Sequence, residues 1–206
     1  DTTRARANTL RNVITNSPHA NPFDSEELKE VMDLCLSCKG CKKECPSTVD
    51  MAKLKAEFQQ QYYDSHGSPL RSKLIANFTL TQKIAAWVPW AWNCLFGTPA
   101  FRRLANRFSG FHPERTIPLL PKQTLESWFK TRAREGSAAG SRGKVLLFCD
   151  EFTNYHDSEI GKLSVGLLEK LGYEVELPEI QESGRTWLSK GYVRKAKEII
   201  QHNVNV

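Results

Sequence analysis

Residues 35–46 read Cys35-Leu36-Ser37-Cys38-Lys39-Gly40-Cys41-Lys42-Lys43-Glu44-Cys45-Pro46. This stretch holds four of the six cysteines of the chain, separated by two, two and three residues, and a proline follows the last of them. The spacing is typical of proteins that hold 4Fe-4S clusters. Cysteines at three-residue steps on a tight turn direct three thiolates at three irons of one cube. We therefore predict that the cluster ligands are Cys35, Cys38, Cys41 and Cys45.

The residues between the cysteines also suit a cluster. Gly40 has no side chain, so the backbone can pass close to inorganic sulfide there. Pro46 turns the chain away after the last ligand. Lys39, Lys42 and Lys43 lie between the ligands, where their charges would offset the negative charge of a thiolate-ligated cluster and raise its reduction potential.

Three alternatives account less well for the cysteine run: disulfides, a structural zinc site, and cysteines that simply line the buried face of a helix. Disulfides are typical of small secreted domains, but we identify no secretion signal, and the spacing is too tight for a disulfide framework. Structural zinc usually takes two cysteine pairs separated by about a dozen or more residues. A buried helix stripe accounts for Cys35, Cys38 and Cys41, but not for the lysines between them or for the final Cys-Pro pair.

The fourth cysteine raises a further question. In proteins with two clusters, the cysteine before the proline ligates the other cluster, which leaves the first three cysteines one ligand short. Either the partner motif lies outside this chain, or a lone cluster recruits Cys45, Cys94 or Cys149. We favour the first alternative, because the chain begins at Asp1 rather than Met and stops at Val206 after a helical pattern. We expect Cys94 and Cys149 to be plain core cysteines.

The segment around the cysteines is predicted to be helical. A helix from about residue 24 to 35 starts with a capping box at Asp24 and carries an apolar stripe at i, i+3, i+4 and i+7. The next helix is expected from about residue 49 to 65 and stops at Gly67. Prolines break the helical pattern between residues 69 and 131.

A change of pattern marks a second domain. Residues 132–143 are rich in Gly, Ser and Ala without periodicity, which predicts a flexible linker. The elements predicted beyond it are a buried strand at 145–148, a helix at 158–171, a strand at 173–177 and a helix at 191–202. This order predicts a parallel strand pair with a right-handed crossover. Two strands cover two helices poorly, so the βαβα domain looks truncated. We predict an α+β fold, with a helical domain at 1–131, the linker at 132–143 and a partial α/β domain at 144–206.

The loop after the first of these strands carries polar side chains. Asp150, Asn154 and His156 lie there, and strand-to-helix loops of α/β proteins often bind ligands. We favour helix capping, by Asp157 or Ser158, as the role of this loop.

Composition limits the class of protein. The 206 residues are 40% hydrophobic and 25% charged, which excludes collagen, long disorder and a coiled coil. We find no run of about 18 apolar residues that would predict a helix spanning a membrane.

The net charge of +6 is concentrated in one stretch. Residues 102–144 contain ten Lys or Arg against three Glu, which accounts for the whole excess. Such a stretch suits an acidic partner, an anionic membrane surface or nucleic acid. We favour a solvated face plus a basic linker, because the charges follow no single helical face, and we expect no nucleic acid. The aromatic segment 74–96 also suits a membrane surface or a partner, but we expect it to pack over the neighbouring helices.

The cysteine run and its surroundings resemble the iron–sulfur half of FAD-linked 2-hydroxyacid dehydrogenases and oxidases. This family includes D-2-hydroxyglutarate and D-lactate dehydrogenases and the iron–sulfur subunit of glycolate oxidase. Residues 2–11 are similar to the linker between the two cluster motifs of the family, and residues 35–55 to the second motif with its exit helix. The segments similar to the first half of the family's cysteine-rich domain are 148–155, 172–173, 184–185 and 189–191.

The resemblance implies a helical, ferredoxin-like domain followed by a truncated cysteine-rich-type domain. It implies that a longer parent protein holds an FAD domain and the other cluster motif. In the family, the flavin oxidises a 2-hydroxyacid, and the clusters pass electrons singly to a quinone, a cytochrome or another carrier. Where the family often has a Cys-Cys pair, this chain has Glu182 and Ser183. This difference calls into question a metal or thiol site at these positions and the role of Cys149.

We interpret the chain as the electron-transfer segment of an oxidoreductase that uses FAD and 4Fe-4S clusters, with the FAD domain and an electron carrier as its partners. The sequence shows no Gly-rich phosphate loop, no paired carboxylates and no Ser-His-Asp set for substrate chemistry. The alternative is a zinc- or partner-binding adaptor with a basic docking surface. A third hypothesis is an apoprotein, whose cysteines bind no cluster because the second cluster is missing. We expect a cytoplasmic protein, and peripheral contact with the inner face of a membrane would be compatible with that location.

Overall fold

The structure, a computed structural model, describes residues 2–17, 20–132 and 142–206. Within these ranges the chain is mostly helical and has one small parallel sheet, which confirms the predicted α+β class. The helices are α1 (Thr3–Asn16), α2 (Glu26–Asp33), α3 (Gly40–Glu44), α4 (Met51–His66), α5 (Leu70–Ala76), α6 (Phe78–Ala85), α7 (Pro89–Gly97), α8 (Pro99–Phe108), α9 (Leu125–Thr131), α10 (Glu151–Tyr155), α11 (Ser158–Lys170), α12 (Arg185–Ser189) and α13 (Val193–Val204). The strands are β1 (Lys144–Leu146) and β2 (Glu174–Glu176), and a 3-10 turn covers Pro22–Asp24.

The chain folds into two compact units. Unit 1 consists of Asp1–Ala76 together with Gly184–Glu198, and unit 2 of Asn77–Ser183 together with Ile199–Val206. The domain boundaries predicted from composition, at 131 and 144, stay a prediction. Most of the predicted linker, residues 133–141, lies outside the described residues.

Unit 1 has a small apolar core that three helices share. Leu10 of α1, Leu28 and Met32 of α2, and Met51 and Phe58 of α4 are all buried in it. Cys41, in the cysteine loop between α2 and α4, packs against the same core. The loop is therefore anchored on the helices on either side of it.

The second segment of unit 1 is tied to α4 and α5 by polar contacts. Thr186 of α12 donates its hydroxyl to the carbonyl of Ala76 at 3.2 Å. Arg194 of α13 donates two hydrogen bonds to the carboxylate of Asp64, at 3.0 and 2.6 Å. Residues 184–198 thus belong to the same unit as the cysteine loop, although more than a hundred residues separate the two segments in sequence.

Unit 2 contains the two strands, which pair in parallel with Val145 opposite Val175. The connection between them contains the predicted helix, α11, and also the short helix α10. The predicted burial of the first strand is wrong, because Leu146 and Phe148 are 59% and 49% exposed. In the described part of the chain β1 has β2 as its only neighbouring strand, so its side chains are covered incompletely.

Several helix ends differ from the sequence-based expectation by a residue or two. Ser25 rather than Asp24 caps α2, because its hydroxyl accepts the N–H of Leu28 at 3.2 Å. Asp50 caps α4, which begins two residues later than predicted and ends at Gly67, as expected. Residues 2–11, similar to a linker in the family, lie largely within α1.

The aromatic segment packs only in part. Phe78 stacks on Phe152, with ring centroids 5.0 Å apart, and Trp92 packs against Phe96. Trp87 and Trp90, however, are 84% and 74% exposed, so the expectation of packing is wrong for these two. No helix among the described residues is both long enough and apolar enough to span a membrane.

Candidate metal centre

The cysteine loop runs between the end of α2 and the start of α4. Cys35 directly follows the α2 cap, and its N–H donates to the carbonyl of Met32 at 3.0 Å. Cys41 lies in the short helix α3, and Cys45 ends that helix by donating its N–H to the carbonyl of Cys41 at 2.9 Å. Cys38 is exposed, and the other three are half-buried. All four thiols are free of disulfides.

Two residues between the first and the third cysteine have left-handed backbone conformations. Ser37 and Lys39 have φ angles of 56° and 61°, which cost about 1–3 kcal/mol each for residues other than glycine. Alternation of right- and left-handed residues turns successive N–H groups toward one concave side, an arrangement that binds anions and many iron–sulfur clusters. The N–H of Ser37 already donates to the Sγ of Cys35 at 3.4 Å. Hydrogen bonds of this kind to ligand sulfurs tune cluster potentials.

The role expected for Gly40, a close approach of the backbone to inorganic sulfide, stays a prediction. Gly40 starts α3 with an ordinary negative φ, so its backbone does not need the left-handed freedom of glycine. A Cβ at this position would lie 3.7 Å from the Sγ of Cys38, an ordinary contact. The sharp bends of the loop are instead made by Ser37 and Lys39.

Three of the four predicted ligands line one cavity. Cys35, Cys38 and Cys41 face a cavity of about 190 Å³, and Cys45 is not among its lining residues. The other lining residues come from α1, the loop and α4; they are Thr3, Arg6, Leu34, Leu36, Lys39, Met51 and Ala52. Three soft thiol ligands around a partly apolar cavity fit an iron–sulfur cluster. No three His, Cys, Asp or Glu side chains in the described ranges are grouped closely enough to hold a single metal ion.

The three lysines between the cysteines differ in their surroundings. The ammonium group of Lys42 lies 3.5 Å from the carboxylate of Asp50, so part of its charge is neutralised. Asp50 also accepts the N–H of Lys53 at 3.0 Å, and this hydrogen bond is the main cause that lowers the pKa of Asp50. Lys39 and Lys43 are exposed, where water and salt screen their charges.

Two cations outside the cysteine run contact the loop. Lys55 of α4 is buried, at 8% exposed, and its Nζ donates to the carbonyl of Cys35 at 2.7 Å. Arg6 of α1 donates to the carbonyl of Leu34 at 3.3 Å. Burial lowers the pKa of Lys55. Sequence reasoning missed both residues. A signal was present for Lys55, which lies four residues after Met51 and therefore on the same face of the predicted helix as this apolar residue.

The two cysteines outside the loop differ from each other. Cys149 is buried, and burial raises the pKa of its thiol to about 12, so the prediction of a core cysteine is confirmed for this residue. Cys94 is exposed, and the same prediction is wrong for it. Both cysteines belong to unit 2.

The positions that replace the Cys-Cys pair of the family form a polar network in unit 2. The carboxylate of Glu151 accepts the N–H of Ser183 at 2.8 Å and its hydroxyl at 2.7 Å. Glu182 accepts a hydrogen bond from Thr79, and its carbonyl accepts one from Asn203 at 3.0 Å. Residues 182 and 183 thus contact other segments of unit 2 through hydrogen bonds and supply no thiol.

The polar residues after β1 have structural roles, as favoured from the sequence, but through different residues. A short helix, α10, occupies the predicted loop, and Asp150 caps it by accepting the N–H groups of Phe152 and Thr153. Asn154 is buried and accepts the N–H of Glu126 at 3.1 Å. Asp157 makes no side-chain capping bond.

Comparison with known proteins agrees with the geometry of the loop. A family model described as a 4Fe-4S dicluster domain matches residues 1–50, which include α1, α2 and the four clustered cysteines. The chain is 30% identical over 194 residues to D-2-hydroxyglutarate dehydrogenase of Escherichia coli, a match that covers 87% of this chain. The resemblance to the iron–sulfur half of 2-hydroxyacid dehydrogenases is confirmed.

Other relatives point the same way. D-2-hydroxyglutarate dehydrogenase of Pantoea ananatis is 28% identical over 83% of this chain. Lactate utilization protein A of Geobacillus sp. is 39% identical over 30% of this chain and 26% of its own length. The chain spans only 19% and 17% of the lengths of the two D-2-hydroxyglutarate dehydrogenases. No solved structure matches the chain.

Proposed function

We propose that this protein is the electron-transfer segment of an FAD-dependent oxidoreductase that oxidises a 2-hydroxyacid. The observation that carries the proposal is the cavity lined by Cys35, Cys38 and Cys41, within a segment that a 4Fe-4S dicluster model matches. A bound cluster supplies one-electron transfer. The names of the relatives support a 2-hydroxyacid as the substrate of the complete enzyme.

The four cysteines have different proposed roles. Cys35, Cys38 and Cys41 hold one cluster, and Cys45 ligates a second cluster whose other ligands lie elsewhere in a longer protein. The lining of the cavity, from which Cys45 is absent, supports this division. So does the usual chemistry of the spacing, in which the cysteine before the proline belongs to the other cluster.

The rim of the cavity is proposed to contact the electron donor or acceptor. Leu36 lies between two ligands and is 91% exposed, and its neighbour Leu34 is exposed as well. Exposed apolar side chains next to a redox group suit a docking partner, because docking brings the partner close and excludes water. We propose the FAD-binding domain as the partner at this rim.

Metal and sulfide analysis tests the proposal. The protein is purified without oxygen and reconstituted with iron and sulfide, and we expect iron and acid-labile sulfide in equal amounts with visible absorbance that bleaches on reduction. Cys38→Ser is expected to abolish this absorbance, whereas Cys94→Ser, which alters an exposed cysteine of unit 2, leaves it unchanged. Zinc without sulfide would contradict the proposal and favour the adaptor alternative.

A second part of the proposal concerns a membrane surface at unit 2. Exposed apolar side chains occur on three consecutive helices, α6 to α8, and on the turn between α6 and α7; they are Leu80, Ile84, Trp87, Val88, Trp90, Leu95, Phe101, Leu104 and Phe108. The chain contains no Asp or Glu between Asp64 and Glu114, and exposed Lys83, Arg103 and Arg107 lie in this stretch. Tryptophans with basic residues suit the interface of an anionic membrane. We propose that the protein is cytoplasmic and contacts the inner face of the membrane peripherally. A quinone in that membrane is the proposed electron acceptor.

Vesicle sedimentation tests the membrane contact. We expect binding to vesicles that contain phosphatidylglycerol and weaker binding to phosphatidylcholine alone or at high salt, because each basic residue near an anionic surface contributes about 1 kcal/mol. The double variant Trp87→Ala/Trp90→Ala is expected to release the protein. Leu163→Ala, which removes an equally exposed side chain outside these helices, is the control. No binding to anionic vesicles would refute the contact.

A further inference from the structure

Lys55 is a buried cation without an acidic partner in the described part of the chain. None of the ion pairs among the described residues includes it. The carboxylate of Asp33, which interacts with Lys55 only through space, is paired with Lys29 at 2.5 Å. The hydrogen bond of Lys55 goes to the backbone carbonyl of Cys35. A buried ammonium group is costly unless a negative charge compensates it.

The position of Lys55 indicates where that negative charge belongs. Its Nζ lies 2.7 Å from the carbonyl of Cys35, the first cysteine of the run. One helical turn earlier, Met51 lines the cavity that the cysteines share. Lys55 therefore approaches the cysteine loop from the side of α4, within the fold, whereas Lys39 and Lys43 approach it from solvent.

We infer that Lys55 is the built-in counter-charge of the cluster and a positioning residue for Cys35. The inference rests on the proposed function. The ammonium group holds the Cys35 carbonyl, which orients the first ligand, and its positive charge stabilises the negative charge of thiolates and cluster. Because reduction adds one more negative charge to the cluster, a fixed cation nearby favours the reduced form and raises the reduction potential.

Burial distinguishes Lys55 from the lysines inside the run. A charge in the protein interior acts through a lower effective dielectric constant than one at the surface. Lys39 and Lys43 are exposed, and Lys42 is paired with Asp50. Lys55 is thus expected to influence the potential more than any of the three, although the sequence places it ten residues after Cys45.

A redox titration of the anaerobically reconstituted protein tests the inference. Lys55→Met keeps the length of the side chain and removes the charge, and we expect a reduction potential shifted to more negative values and a lower yield of loaded cluster. Lys53→Met removes an exposed lysine of the same helix and is expected to leave the potential unchanged. Lys55→Arg restores the charge and the donor, and we expect its potential to lie closer to that of the wild type.

Circular dichroism and thermal unfolding of the iron-free proteins provide the second measurement. Without the cluster, the charge of Lys55 is uncompensated, so iron-free Lys55→Met is expected to be folded and at least as stable as the iron-free wild type. An unfolded Lys55→Met protein would mean a purely structural role and overturn the inference, as would a loaded variant with an unchanged potential. If the wild type itself takes up no iron and sulfide, the proposed function fails instead.

Discussion

At the scale of a single residue, Asp50 links the cysteine loop to helix α4. Its carboxylate caps the helix by accepting the N–H of Lys53 and also faces the ammonium group of Lys42. The capping hydrogen bond favours the charged form, so the pKa of Asp50 lies below its ordinary value of 3.8. The stability that this residue contributes must therefore depend on pH.

We expect Asp50→Ala to lower the free energy of unfolding by about 1 kcal/mol at neutral pH, the usual cost of losing a helix cap. Because the folded pKa is depressed, the contribution is fully present above the unfolded pKa and is lost as the pH falls through the lower folded value. Urea denaturation of both proteins, stepwise from pH 7 to pH 3, measures the difference.

Asp50→Asn provides the control, since asparagine caps helices about as well as aspartate but carries no charge. Its stability difference from Asp50→Ala should not change across the same pH range. A difference between wild type and Asp50→Ala that stays constant down to pH 3 would rule out the titration of Asp50 as its source.

At the scale of an element, helix α11 contains two glycines with opposite surroundings. A Cβ on Gly161 would lie only 2.3 Å from the Cδ2 of Leu125 in α9, so the two helices approach each other through the missing side chain. A Cβ on Gly166 would meet nothing within 4 Å. The same substitution should thus have opposite effects at two positions of one helix.

Gly161→Ala is expected to destabilise the protein by about 1–3 kcal/mol, because the buried Leu125 must move to admit the methyl group. Gly166→Ala should instead stabilise it by up to about 1 kcal/mol, since alanine favours the helix over glycine. Thermal unfolding of the two variants beside the wild type decides the matter, and a loss of stability in both would count against the packing of α9 on α11.

Elements with a strong local signal were predictable from the sequence. The helices α2, α4 and α11 were expected from local patterns and end signals, and the structure contains all three near the predicted positions. The short helices α10 and α12 have too few residues to show a period, so tertiary contacts decide them. The burial of β1 was predicted wrongly because an apolar run does not reveal how many strands flank it.

The candidate site, like the secondary structure, was predictable where its signal lies in a short stretch of sequence. The spacing predicts Cys35, Cys38, Cys41 and Cys45 as ligands from one contiguous run, and the structure gathers the first three around a cavity. The left-handed conformations of Ser37 and Lys39 have no signature in the sequence, because neither residue type favours them. The position of Lys55 one turn after Met51 is a local signal for its burial, but its contact with the Cys35 carbonyl joins residues twenty positions apart, and no local pattern specifies that contact.

At the scale of the whole molecule, unit 2 exposes a second apolar surface besides that of helices α6 to α8. Ile160, Leu163 and Leu167 of α11 are largely exposed, and Phe148 just after β1 is half-exposed. Adjacent to them on the same helix, Val165 is fully buried. Soluble proteins rarely leave large apolar patches uncovered, so the chain by itself should tend to self-associate.

Replacement of Leu163 by lysine is expected to raise the protein concentration at which self-association begins by roughly several-fold. The free energy of unfolding should not change, because this side chain is 74% exposed. Val165→Lys, by contrast, places a charge in the core and should unfold the unit. Sedimentation velocity at increasing concentration, together with thermal unfolding, separates the two results. Unchanged self-association of Leu163→Lys would show that this surface is not responsible.

The assembly of unit 1 from two distant segments has a consequence for the order of events during synthesis. A ribosome needs on the order of ten seconds to translate from Cys45 to Gly184, and α12 with its contact to Ala76 emerges only then. The nascent thiols therefore leave the exit tunnel long before the rest of their unit is available. We expect insertion of iron and sulfide to wait until this second segment has been translated and has joined the first.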